Sequence, residues 1–257
     1  MLNIQPIAAF SDNYIWLISD ESSRQAFVVD PGDAAPVEAV LSKLGLDLAG
    51  ILITHHHFDH VGGVADLRAA HSPIVYGPQN PAIDGIDERF SAGDTVEVLG
   101  HQFKVMEVPG HTLDHIAFFH DGETPLLFCG DTLFAGGCGR LFEGNPPMML
   151  QSLQSLAELP AATRVYCAHE YTLANLAFAQ AVEPDNSALV DRIASAEATR
   201  NAGKPTVPSN IALELATNPF LRCHAPELQD SLQSQGKLEG SSTVEVFATV
   251  RGWKDNF

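Results

Sequence analysis

A chain of 257 residues, 45% of them apolar, can bury one large core or two modest ones, and its net charge of −18 argues against nucleic acid or an anionic membrane as partner, since both are held by basic surfaces. The first sixteen residues, MLNIQPIAAFSDNYIW, carry no basic leader, and their longest apolar run (7–10) is far too short for a signal-peptide core or a membrane span; a cytoplasmic monomer is expected. Cys129, Cys138, Cys167 and Cys223 show no C-x-x-C spacing and read as buried free thiols, and with only 14 Lys and Arg any cluster of cations becomes informative.

In chain order, β-rich runs alternate with turns: IWLISD (15–20), AFVVDPG (26–32), GILITH (50–55), PIVYG (73–77), FKVMEVPGH (103–111), HIAFFH (115–120), PLLFCGD (125–131) and RVYCAHE (164–170). Residues 36–44, closed by Gly45, and 146–159 have helical period. Runs such as GILI and LLFC are continuously apolar, as strands covered on both faces should be. Beyond Glu170 the character changes, and LANLAFAQAV, SALVDRIASAEATRNAG, NIALELATN and APELQDSLQSQ all read as helices, separated by joints at Pro184, 203–208 and Pro219. The pattern predicts an α+β chain: a mixed domain over 1–170 and a smaller helical one over 171–257.

The stretch THHHFDH (54–60) follows the apolar GILI directly. In an extended segment alternate side chains share a face, so His55, His57 and Asp59 are expected on one side and His56 and Phe58 on the other. His60 joins them only if the chain turns, which VGG (61–63) permits. Burying four such groups without a partner is costly, whereas metal ions satisfy them together. One loop cannot complete two metal sites; His111 of VPGHT, Asp131 of FCGDT and His169 of YCAHE each end a β-rich run and are the candidates to complete them. Asp131, with two carboxylate oxygens, is the candidate bridge. His71, His101, His120 and His224 are set aside as ordinary histidines, and so are His56 and His115, which alternate away from stronger neighbours.

THHHFDH, VPGHT, CGDT and AHE, in this order, resemble the metallo-β-lactamase superfamily, which implies a four-layer αββα sandwich with a dinuclear metal site between its sheets. FSDNYIW (10–16), FAGGCGRLFEG (134–144), HEYT (169–172) and RGWKDNF (251–257) narrow the resemblance to the glyoxalase II, or hydroxyacylglutathione hydrolase, family, as N-terminal strand, substrate loop, last ligand with a substrate tyrosine, and basic tail. The resemblance implies that His55, His57 and His111 hold one divalent ion and Asp59, His60 and His169 a second, with Asp131 bridging. Zinc is expected, with iron or manganese as alternatives. It further implies a glutathione thioester as substrate, S-D-lactoylglutathione foremost, bound by Arg140, Phe142, Tyr171, Arg251 and Lys254. A metal-bound hydroxide would be the nucleophile, with Asp59 orienting it. Phe142 stands where the family often has tyrosine and donates no hydrogen bond; Arg140 replaces a lysine and keeps the charge. The rivals are a persulfide dioxygenase with one iron, a lactonase or β-lactamase, and a metal-binding protein without catalysis.

Overall fold

The computed structural model describes residues 2–238, 240 and 242–257. The chain forms two compact units, one of the residues up to Glu107 with Asp114–Gly130, the other of Val108–Leu113 with Asp131–Phe257.

The first unit opens with β1 (Leu2–Ala9), β2 (Asn13–Asp20) and β3 (Gln25–Val29), then α1 (Ala34–Leu44), β4 (Asp47–Leu52), the single turn α2 (Phe58–Val61), α3 (Val64–His71), β5 (Ile74–Pro78) and β6 (Glu88–Phe90). The six strands form one sheet in chain order, antiparallel from β1 to β3 and parallel from β3 to β6. Parallel neighbours need crossovers: α1 supplies that from β3 to β4, the α2–α3 segment that from β4 to β5, and the loop over 79–87 that from β5 to β6. Helix α1 starts at Asp33, whose side chain accepts from Ala35 N–H, and stops at Gly45, whose φ of 65° is costly for any side chain. Its buried stripe, Val37 and Leu41, packs with Leu17, Val28, Ile51 and Val75 of the sheet, each such side chain contributing about 1.5–3 kcal/mol by burial. A second run, β7 (Thr95–Val98), β8 (His101–Glu107), β9 (Ile116–His120) and β10 (Leu126–Gly130), is an antiparallel meander. All five residues of β10 are buried, as its unbroken apolar sequence requires.

The second unit contains the short hairpin β11 (Leu133–Phe134) and β12 (Gly137–Cys138), α4 (Pro146–Ala157), β13 (Arg164–Cys167), α5 (Thr172–Val182), α6 (Ser187–Asn201), β14 (Ser209–Asn210), α7 (Ile211–Thr217), α8 (Pro226–Ser234) and α9 (Thr243–Asp255). Among the described residues no helix is long and apolar enough to cross a membrane, and all four cysteines are free and buried.

Three local expectations change. Phe10, Ser11 and Asp12 are the turn between β1 and β2, so the strand in FSDNYIW begins only at Asn13. Strand β1 is not apparent from the sequence because of Pro6, which is tolerated because β1 is an edge strand. RGWKDNF is no tail: Arg251–Asp255 closes α9, a helix outside the elements expected from the sequence, which Ser242 and Glu245 start with a reciprocal capping box.

Candidate metal centre

In the first unit, the parallel pairing of β3 and β4 brings their C-terminal ends to one edge of the sheet. Asp30 follows β3 and Thr54–His55 follows β4, and the two meet there: Asp30 accepts from Thr54 N–H at 2.7 Å and from Thr54 Oγ1 at 2.8 Å. Extended backbone runs only to His57; α2 begins at Phe58, so Asp59 arrives through a helical turn and not by alternation. His60 turns with it, as its participation required.

His55 and His60 each turn one imidazole nitrogen to a protein oxygen. Thr54 Oγ1, having given its hydrogen to Asp30, accepts from His55 Nδ1 at 3.1 Å. His60 Nδ1 faces Asp30 Oδ2 at 3.0 Å. The remaining nitrogens converge: His55 Nε2 lies 3.1 Å from His57 Nδ1, and His60 Nε2 lies 3.5 Å from Asp59 Oδ2. Asn13 Nδ2 donates to the same Asp59 oxygen at 2.9 Å. His55 and His60 are fully buried, with ring centroids 4.0 Å apart. His56 turns the other way, to Asp114 at 2.9 Å, and His115 stacks flat on the His55 ring while its Nδ1 donates to Ile116 C=O.

The second unit repeats the pattern. His111 Nδ1 donates to Arg140 C=O at 2.8 Å, which leaves Nε2 facing Asp131 Oδ2 at 3.5 Å. His169 Nε2 faces the other oxygen, Asp131 Oδ1, at 3.4 Å. Asp131 thus presents each oxygen to a different imidazole and is only 6% exposed. Tyr171 stacks on His169 with centroids 4.6 Å apart. Buried imidazoles with one nitrogen fixed and the other turned to a carboxylate or a second imidazole are what metal ligands look like. The donor set, histidine nitrogen and aspartate oxygen, fits zinc, iron or manganese.

The expected substrate residues all lie in the second unit. Arg140 is open, its side chain 57% exposed, and its Nε reaches Asp255 Oδ1 at 3.3 Å. Arg251 is enclosed: Nη1 donates to Cys138 C=O at 3.0 Å, Nη2 reaches the same Asp255 oxygen at 3.0 Å, and Nε is buried without a hydrogen-bond partner among the described residues. Asp255 therefore joins the two guanidinium groups. Lys254 lies over the rings of Phe178 and Phe257, and burial, with Arg251 beside it, pushes its ammonium below the ordinary lysine value. Phe142 is 61% exposed and meets the His111 ring edge-on. Asp30, Asn13, Thr54 and Asp255 were not foreseen. Asp30 carried a signal, an acid directly after the apolar run AFVV, the same placement that singled out Asp131.

Comparison with known proteins gives two family matches: "Metallo-beta-lactamase superfamily" over residues 10–169 and "Hydroxyacylglutathione hydrolase C-terminus" over 170–257. A hydroxyacylglutathione hydrolase of Pseudomonas aeruginosa is 54% identical over 258 residues, covering 100% of both chains. Among solved structures, ETHE1 from Myxococcus xanthus superposes with a TM-score of 0.66 at 26% identity, covering 99% of this chain and 98% of that one. TTHA1623 in a di-iron-bound form gives 0.62 at 26%, covering 84% and 100%.

Proposed function

This chain belongs to the hydroxyacylglutathione hydrolase (glyoxalase II) family of the metallo-β-lactamase superfamily, and on that premise we propose that it hydrolyses thioesters of glutathione with 2-hydroxy acids, S-D-lactoylglutathione foremost, to glutathione and the free acid in the cytoplasm. The carrying observation is the pattern of placed imidazoles: His55 and His111 have Nδ1 hydrogen-bonded to a protein oxygen, His60 has Nδ1 3.0 Å from the Asp30 carboxylate, and each turns Nε2 to a further candidate ligand.

In this reading His55, His57 and His111 would hold one divalent ion and Asp59, His60 and His169 the other, with Asp131 available to both. The superfamily match supports it by spanning all seven residues without a break, and the helical segment over 171–257 then serves the substrate. Zinc is the proposed metal. Such ions supply a Lewis acid and a water acidified toward a pKa of ~7.

The protein groups do the rest. Asp59, fixed by Asn13, orients the attacking water. The leaving thiolate, of a thiol with pKa near ~8.5, departs without a strong general acid. Arg140, Arg251 and Lys254 hold the glutathione carboxylates locally in a chain whose overall charge repels them, and the buried Arg251 Nε–H is a donor that an anion would satisfy. Tyr171 adds a hydroxyl beside His169, while Phe142 offers that substrate only an apolar face.

The test is metal analysis together with hydrolysis of S-D-lactoylglutathione, followed at the thioester absorbance, on wild type and Asp131→Ala. About two metals per chain and rapid hydrolysis, both lost in the variant, are expected. One iron with the thioester left intact would overturn the proposal in favour of the dioxygenase.

A further inference from the structure

The loop that carries Arg140 has an unusual support. Over residues 134–138 five backbone groups are held, one after another, by buried side chains of the following helices. Asn218 Nδ2 donates to Phe134 C=O at 3.2 Å and to Gly137 C=O at 2.9 Å. Asn175 Nδ2 donates to Ala135 C=O at 3.2 Å, and Arg251 to Cys138 C=O at 3.0 Å. The one N–H in the series, that of Gly136, donates to Glu214 Oε2 at 2.8 Å.

Glu214 is the hub. It is fully buried on α7, its Oε2 also lies 3.0 Å from Asn218 Nδ2, whose two hydrogens are shared among three acceptors, and its Oε1 pairs with Arg192 of α6, itself 7% exposed. A buried ion pair is a poor stabiliser, because desolvating both charges offsets their attraction and apolar residues of the same volume often do better. Apolar residues, however, could hold neither the Gly136 N–H nor the Asn218 amide. The loop needs such a hold: Gly136, at φ 71°, and Gly137 give it intrinsic freedom. The chemistry lies just beyond the clamped stretch. Two residues on, Arg140 C=O receives the His111 Nδ1 hydrogen, and the Arg140 side chain reaches Asp255.

We infer that Glu214, braced by Arg192 and Asn218, is a positioning residue: by fixing the loop over residues 134–138 it sets the Arg140 carbonyl that orients ligand His111 and the Arg140 guanidinium that binds substrate. Both halves rest on the proposed function, the substrate half on its thioester and the His111 half only on its metal assignment.

The experiment uses the full chain and Glu214→Gln, with zinc affinity measured by chelator competition, KM and kcat on S-D-lactoylglutathione at saturating zinc, and thermal melting. Zinc affinity should fall about tenfold, the scale on which ligand-orienting groups act, and KM should rise severalfold while kcat changes less. A lowered melting temperature with wild-type zinc affinity and KM would make Glu214 a core group only and overturn the inference. If Glu214→Gln does not fold, Asn175→Ala, which removes a single clamp bond, should show the same shifts at smaller size, and wild-type values there would overturn it equally. A wild type that binds zinc but leaves the thioester intact defeats the proposed function, while the zinc measurement still judges Glu214.

Discussion

Asp30→Asn isolates the part of the site that lies behind the ligands. In the wild type, Asp30 Oδ1 accepts from Thr54 N–H, and Oδ2 accepts from Thr54 Oγ1 and faces His60 Nδ1 at 3.0 Å. An asparagine keeps the first bond by placing its carbonyl at the Oδ1 position, which puts its NH2 where Oδ2 was. Thr54 Oγ1 can rotate and accept from that NH2; His60 Nδ1–H cannot. The imidazole must then move its proton to Nε2, the nitrogen that faces Asp59, or keep a donor pressed against a donor. The loss is a 3.0 Å contact between an imidazole nitrogen and a charged oxygen, at most the ~1.5–3 kcal/mol of a charge-assisted hydrogen bond, and at ~1.4 kcal/mol per decade that is up to roughly a 100-fold loss of affinity at the His60 metal position. Size and backbone are conserved, and Asp30 sits at φ 53°, a conformation that asparagine accepts as readily as aspartate. Chelator competition for zinc on the full chain, with melting of the metal-free protein as control, reads the effect. Zinc affinity within twofold of wild type would refute the claim that Asp30 fixes the His60 tautomer.

Gly139→Ala should cost metal as well, because its Cβ would come within 2.0 Å of the Asp131 carbonyl and 3.0 Å of His111 Nδ1; metal analysis after dialysis should find depleted protein, and full occupancy would show that the loop yields. Arg140→Ala should raise KM for the glutathione thioester and leave the melting temperature unchanged, since its side chain is 57% exposed. Arg251→Ala should raise KM and also lower stability by about 2–3 kcal/mol by denaturant titration, since its bonds to Cys138 C=O and Asp255 are lost from a buried place. Equal melting points for these two variants would contradict their assignment as open and enclosed. Burial pushes the Cys223 thiol well above its ordinary value; below that value its contribution to stability is fully present, and as pH rises from ~8.5 the unfolded chain loses a proton that the folded one keeps, so stability falls. Cys223→Ala should flatten that alkaline decline in urea titrations, and an unchanged slope would clear Cys223 of it.

The ligand candidates were legible because their chemistry is local: THHHFDH stands alone in its density of imidazole, and Asp131 and His169 follow β-rich runs that the structure confirms as β10 and β13. The basic cluster at 251–254 was equally visible, but its state was not. Sequence shows Arg251 and Lys254 as charges near a chain end, whereas α9 puts Arg251 at 6% exposure and Lys254 over two aromatic rings. Helix α9 escaped because β-branched residues outweigh its helix formers locally, and only its capping box and the burial of Val246, Phe247 and Val250 reverse the preference. Asp255 stayed invisible for a related reason: an acid beside a base reads as a neutralised pair until the fold brings Arg140 to it from 115 residues away.

What sequence could least show is how the ligands are held. Each support is one atom of a residue distant in the chain or unremarkable in type: a carbonyl of Arg140 for His111, a carboxylate after β3 for His60, an asparagine at the start of β2 for Asp59. Asn13 and Arg140 do sit in stretches that the resemblance singles out, FSDNYIW and FAGGCGRLFEG, but nothing there points to these contacts, because a motif records residues that share a segment and the contacts exist only once the chain has folded. The parallel register of β3 with β4 places Asp30 against Thr54, and a slip of one residue there would turn the side chains to opposite faces and strand His55 and His60 without their partners. On the proposed metal assignment the histidines and aspartates would set which metals can bind, while the register of the sheet and, by our inference, the clamp on the Arg140 loop would aim the nitrogens that hold them.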